Sequence, residues 1–172
     1  MIAALLSAFR RLRLGASARV EGRPVVLGLV CVRGEGRVVV GDGVRFEATQ
    51  APIELHAGPD AEIVLERGAV LEAGCSIEAM RSVRVGEGAR IGAFAKVLDN
   101  QFHSLEGDRA RRPPSAPVVV EAGASIGPRA VVLPGAHVGK NARVGAGAVV
   151  SRRLPPGADV HGFPLEPRTR RA

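Results

Sequence analysis

Imidazole is the side chain that changes its protonation most readily near neutral pH, with a pKa near 6.5 in water. The chain carries four histidines, His56, His103, His137 and His161. His103 stands apart because its surroundings, Asp99-Asn100-Gln101-Phe102-His103-Ser104-Leu105, follow no regular hydrophobic pattern and read as a loop. A histidine on a loop can move a proton to or from a bound molecule, or it can simply face solvent, and the residues alone leave both open. His56 and His161 have no partner in sequence. The histidines are far apart along the chain, so three convergent imidazoles of the kind that zinc needs are not in view, and no metal is expected. The two cysteines, Cys31 and Cys75, make no disulfide framework and read as buried, reduced thiols of a cytoplasmic protein.

The elements that must hold such a loop announce themselves by period. From Val120 the sequence falls into hexads: VEAGAS, IGPRAV, VLPGAH, VGKNAR and VGAGAV, followed by Val150. The first position is Val120, Ile126, Val132, Val138, Val144 and Val150, and the fifth is Ala124, Ala130, Ala136, Ala142 and Ala148. An earlier block keeps the same rule at Leu65, Leu71, Ile77 and Val83, with Ala69 and Cys75 at the small position and Arg81 breaking it. After a two-residue slip, Val85, Ile91 and Val97 resume, with Ala89 and Ala95 in place. Val38 to Ile53 is a degraded form of the pattern. A period of six matches neither a helix nor an alternating strand. It matches one face of a triangular prism, and three faces close a coil of about 18 residues. The branched first residue points inward and stacks on its equivalents, the fifth position fits only a small side chain, and Gly at the second or fourth position eases the turn. Hydrogen bonds then run between coils as in a parallel sheet. The expected fold is therefore all-β: a parallel β-helix of hexapeptide repeats, about five to six coils, with a protruding loop and short terminal segments.

Composition agrees. Hydrophobic residues make up 46%, yet the only aromatics are five Phe, and there are 22 Gly and 12 Pro. Such a core is layered from Val, Ile, Leu and Ala. The expected organisation is an N-terminal amphipathic, helical segment over 1–20, the β-helix over 21–155 with a loop at 98–117, and a tail over 156–172 that leaves the prism near Pro155 and Pro156. The opening MIAALLSAFRRLRL has its apolar run before its charges, the reverse of a secretory signal. It reads as a helix packed on the body or as a weak membrane-surface contact. No apolar stretch is long enough to span a bilayer. The net charge of +7, nearly all its bases arginine, favours anionic partners. Nucleic acid is not expected, for want of an aromatic stacking platform or a base-reading motif.

Over roughly residues 60 to 165 the chain resembles the hexapeptide-repeat acyltransferases, in the branch of maltose, galactoside and polysaccharide O-acetyltransferases. Two segments carry the resemblance beyond the hexads. One is the stretch Asp99 to Leu105, similar to that family's Asp…His-x-Leu segment. The other is Val144 to Pro156, followed by Gly162-Phe163-Pro164. The resemblance implies a left-handed coil, a homotrimer with sites between subunits, and acetyl transfer from acetyl-CoA to a hydroxyl of a sugar, polysaccharide or glycolipid precursor. It makes His103 the general base that takes the hydroxyl's proton. Asp99 then orients the imidazole or meets the acceptor, or only turns the chain out of its coil, and Asn100 is read in the same way. For coenzyme A it points to Pro128, Ala146, Ser151 and Arg152, with Arg153 and Arg168 as phosphate partners through their planar forks. N-acetylation of an amino sugar nucleotide and a non-catalytic assembly role are the alternatives. Ser125 stands where many relatives have Trp, and the coil below the loop offers Glu72, Glu78 and Met80 as its polar or adaptable residues. The implied location is cytoplasmic, with contact at the inner membrane face through the N-terminal segment.

Overall fold

The computed structural model describes residues 18–101 and 113–162, and the backbone of 166–167. Each clean hexad gives one short strand from its sixth and first positions, and positions two to five turn the corner. The first coil is β1 (Ala18–Val20) and β2 (Val25–Arg33), the second β3 (Arg37–Val40) and β4 (Arg45–Ala57). β5 (Glu62–Leu65), β6 (Val70–Glu72) and β7 (Ser76–Ala79) make the third. β8 (Ser82–Val85), β9 (Arg90–Ile91) and β10 (Lys96–Leu98) make the fourth. After the loop come β11 (Val118–Val120), β12 (Ser125–Ile126) and β13 (Val131–Val132). The sixth coil is β14 (His137–Val138), β15 (Arg143–Val144) and β16 (Val149–Val150). The last is β17 (Arg153–Leu154) and β18 (Asp159–His161), followed by β19 (Glu166–Pro167). Among the described residues there is no helix.

The strands stack in parallel into three faces. The first is a seven-stranded sheet in the order β1-β3-β5-β8-β11-β14-β17, so the prism has seven coils rather than five to six. The second face carries β6, β9, β12, β15 and β18 above the first half of β4, and the third carries β7, β10, β13 and β16 above its second half. β4 runs unbroken through a corner, joining these two faces into one 12-stranded sheet. The lower coils are longer, and Phe46, fully buried, fills the extra width.

The first and fifth hexad positions line a dry core: Leu71, Ile91, Val120, Val138, Ala69, Ala89, Ala142 and Ala148 are all 0% exposed. Cys75 takes the place of a fifth-position Ala. Burial first, and the negative charge of Glu72 second, push its thiol up to about 12, so it stays protonated and inert. Both cysteines are free thiols. The fourth position has a left-handed backbone throughout, with φ of 67° at Gly123 and Gly147 and 57° at Phe94, Arg129 and Asn141, where no glycine eases the turn.

Three glutamates at the second hexad position tie one coil to the next in the same way. Glu66 accepts from Arg84 Nε at 2.7 Å and from the Glu87 N–H at 3.0 Å. Glu72 pairs with Arg90 and accepts from the Ala93 N–H at 2.9 Å. Glu121 pairs with His137 and accepts from the Lys140 N–H at 2.7 Å. In each clamp the basic side chain stands at position six of the next coil and the amide at position three. His137 thus replaces the arginine of the other two clamps. Its hydrogen bond, with the Lys140 amide second, holds the Glu121 carboxyl below the usual carboxylate range.

Two expectations need correction. Ala18–Val20 belongs to the β-helix, since it pairs in register with Val38–Val40; the rest of the segment expected to be helical, residues 1–17, lies outside the described residues. The prism also does not end at Pro155 and Pro156. Leu154-Pro155-Pro156-Gly157-Ala158-Asp159 is another hexad, followed by Val160, with Leu154 and Val160 pointing inward and β18 pairing with β15. Position-two amides elsewhere donate to the coil above, as Gly139 does to Leu154 O at 3.0 Å. Among the described residues no further strand lies above β17 on the first face, so proline costs no bond there. β19 then returns antiparallel to β18.

Because Ala130 is completely buried, Ala130→Leu should overpack its corner and cost about 1–3 kcal/mol. An unchanged urea midpoint would show the corner to be roomier than drawn. Glu121 has a lowered folded pKa, so its contribution to stability is present above its unfolded pKa, near 4.3, and is lost as pH falls through the folded value. Thermal midpoints measured from pH 6 to 3 should therefore fall more steeply in the unsubstituted chain than in Glu121→Gln, and parallel curves would contradict the clamp.

Candidate active site

The loop bearing His103 leaves the third face at the end of β10. Asp99 secures its root. It is 0% exposed, and its carboxylate accepts three backbone N–H bonds, all at 2.7 Å: Met80 N–H on Oδ1, Arg81 and Ser82 N–H on Oδ2. Those amides lie at the corner between β7 and β8, where Ser82 opens β8 and Arg81 O accepts from the Glu62 N–H of the coil below at 3.1 Å. One carboxylate from the coil above satisfies them. Of the readings open to Asp99, these bonds agree with holding the chain where it leaves the coil.

Asn100 closes the loop's stem. Its Nδ2 donates to Pro113 O at 3.2 Å and to Ser115 Oγ at 2.9 Å, beside the Ala116 N–H to Asp99 O bond at 2.9 Å. Its Oδ1 is buried and has no donor among the described residues. A buried amide oxygen without a partner is uncommon and marks a place where a donor is expected. His103 itself lies outside the described residues, as does Arg168.

The other candidates flank the same face. Pro128 and Ala146 are exposed on successive coils at the corner between the second and third faces. There the coils approach so closely that a Cβ on Gly127 would meet Ala146 N at 2.7 Å. Ser151 and Arg152 are exposed at the opposite corner, between the third and first faces, which is also the corner from which the loop departs lower down. Arg153 does not join them. It opens β17 on the first face, in register with His137, and contributes to the low pKa of Glu121. Among the described residues no group of His, Cys, Asp or Glu could hold a metal ion.

One feature of this face escaped the sequence reading. Phe94 and Arg129, both in left-handed conformations, stack on successive coils at the Pro128 corner, with the Arg129 guanidinium carbon 5.8 Å from the ring centroid. The ring lies over Gly74, where a Cβ would meet it at 2.4 Å, and Phe94 is 47% exposed. The signal was a bulky aromatic at the fourth hexad position, where glycine is usual. The pair offers a ring face and a cation side by side.

Residues 117–152 match the bacterial transferase hexapeptide family, in six repeats. AntD, an N-acyltransferase from Bacillus cereus solved with dTDP and 3-hydroxybutyryl-CoA, superposes with a TM-score of 0.74 at 13% identity, over 97% of this chain and 88% of that one. The polysialic acid O-acetyltransferase OatWY gives a TM-score of 0.67 at 15% identity, over 91% and 82% of the two chains. Galactoside acetyltransferase in complex with coenzyme A gives 0.63 at 22%, over 73% and 63%. No curated protein sequence matches the chain. The chain is a left-handed parallel β-helix of hexapeptide repeats.

Replacing Asp99 with Ala strands three amides at the slip and should cost about 2–3 kcal/mol. Chemical denaturation of Asp99→Ala with a midpoint like the original would show that water serves those amides equally well.

Proposed function

We propose that the protein transfers an acetyl group from acetyl-CoA to a hydroxyl of a sugar, polysaccharide or glycolipid precursor. The observation that carries this reading is the anchored loop root. The Asp…His-x-Leu segment begins where Asp99 and Asn100 fasten the chain to the third face, between one corner bearing Pro128 and Ala146 and another bearing Ser151 and Arg152. His103 acts as the general base, taking the proton as the acceptor oxygen attacks the thioester carbon; the thiolate of coenzyme A leaves. Asp99 and Asn100 position the loop rather than touch the reacting atoms. The small residues Pro128 and Ala146 leave room for the pantetheine arm, and Arg152, with Arg168, meets phosphate. Arg153 is the weaker phosphate partner, since it faces another side of the prism.

N-acylation of an amino sugar nucleotide is the second reading. The superposition of AntD along nearly the whole chain favours it, because that protein is an N-acyltransferase seen with dTDP. A homotrimer, with each site completed by a neighbouring prism, fits both. A cytoplasmic setting with membrane-surface contact through residues 1–14 is part of the same proposal.

Calorimetry with acetyl-CoA at moderate salt should give saturable binding at one site per subunit. Coenzyme A release with a sugar acceptor should then fall by orders of magnitude in His103→Ala, with assembly and acetyl-CoA binding retained. Turnover in His103→Ala close to the original would remove the histidine from the mechanism, and absence of acetyl-CoA binding in the folded protein would remove acyl transfer altogether.

A further inference from the structure

The clamp motif has a fourth potential member that does not close. Glu66, Glu72, Glu121 and Glu78 all follow an inward first-position residue, and each is set diagonally from a basic residue on the next coil. Strand register puts Arg84 opposite Val64, Arg90 opposite Val70, His137 opposite Val119 and Lys96 opposite Ser76. The first three glutamates take that base and the position-three amide. Glu78 takes neither. The Asp99 N–H goes to its backbone carbonyl instead, at 3.2 Å, and among the described residues no hydrogen bond or ion pair reaches its carboxylate or the Lys96 ammonium.

The exception extends across the third face. Register sets His56 directly beneath Glu78, and Glu54 beneath Ser76. All four are outward and solvent-accessible, and their side chains make no hydrogen bond or ion pair among the described residues. Glu47, Glu62, Glu66, Glu72 and Glu121, on the other faces and their corner, are all paired. A surface that pairs most of its other described glutamates, with Glu35 at a corner as an exception, thus leaves Glu54 and Glu78 open on the one face from which the loop departs. Asn100, which follows the residue bonded to Glu78 and is tied to Pro113 and Ser115, is 1% exposed and has a buried oxygen with no donor among the described residues.

We propose that Glu78, with His56 and Glu54 beside it, binds the acceptor, and that the acceptor is a polyhydroxylated sugar whose O–H or N–H groups donate to these carboxylates. Ser76 and Lys96 offer donors to the ring and hydroxyl oxygens. Glu78 fixes which acceptor group is presented and takes no part in proton transfer. This rests on the acyl-transfer reading above, which acetyl-CoA binding tests separately.

The test uses the full chain with acetyl-CoA and two probe sugars, D-galactose and D-glucosamine, which separate hydroxyl from amine acceptors by their O- or N-acetylated product. For whichever probe is used, Glu78→Gln should raise KM by about tenfold or more, as expected on losing a charged hydrogen-bond partner, with a smaller change in kcat. His56→Gln should raise KM in the same direction. Acetyl-CoA binding should be unchanged in both. Glu78→Gln should also leave the thermal midpoint level or higher, whereas Glu72→Gln, which opens a closed clamp, should lower it. An unaltered KM in Glu78→Gln, or a midpoint loss equal to that of Glu72→Gln, would make Glu78 a structural residue. A protein that binds acetyl-CoA but neither binds nor acetylates either sugar would overturn the acceptor patch while leaving acyl transfer standing. No acetyl-CoA binding would instead count against acyl transfer itself.

Discussion

The spacing between coils governs everything else in this molecule. Parallel strands must lie about 4.8 Å apart to share hydrogen bonds, so every inward position is stacked on its own kind at that distance. A side chain that fits one coil must fit under the next. This is why the fifth position is held to Ala or Cys75, and why the core is almost free of aromatics. It also fixes what the outside can do: each outward residue has one neighbour above and one below in register, and interactions repeat up the faces as rows.

Against so repetitive a background, departures are informative. The corner after Ala79 loses register by two residues, and a buried aspartate from the coil above gathers its amides. That repair fastens the chain at the end of β10, where the hexad register stops. The glutamate clamps are a second kind of regularity, and the unclosed position at Glu78 lies next to the same break. Phe94 and Arg129 accept a backbone conformation that glycine adopts more cheaply, and they do so on the same side of the prism. The register break, the open glutamate and the ring–cation stack therefore gather around the third face and its two corners, while Asn141 takes the same backbone at the corner between the first and second faces.

The upper coils were legible residue by residue, because from Val118 to Val150 each hexad keeps one branched and one small residue. The lower coils were not. β4 passes through a corner as continuous strand, so no glycine or fifth-position alanine marks the turn, and the width is made up by Phe46. Pro155 and Pro156 were read as an exit because proline usually ends an element; on a terminal coil it removes a donor that has nothing to bind. Of the site, the loop and its histidine stood out from the lack of register. The bonds of Asp99, the open state of Glu78 and the stacking of Arg129 on Phe94 did not, since each depends on which residues adjoin across coils.

The topmost coil has a bearing on how copies of the chain can meet. On the first face Pro155 presents no N–H where every lower coil offers one, and on the second the returning β19 occupies the free edge of β18. Among the described residues, a second prism placed end-on would meet an open strand edge at β16 on the third face, but a proline on the first and a covered edge on the second. Lengthwise growth at this end is thereby weakened on two of the three faces.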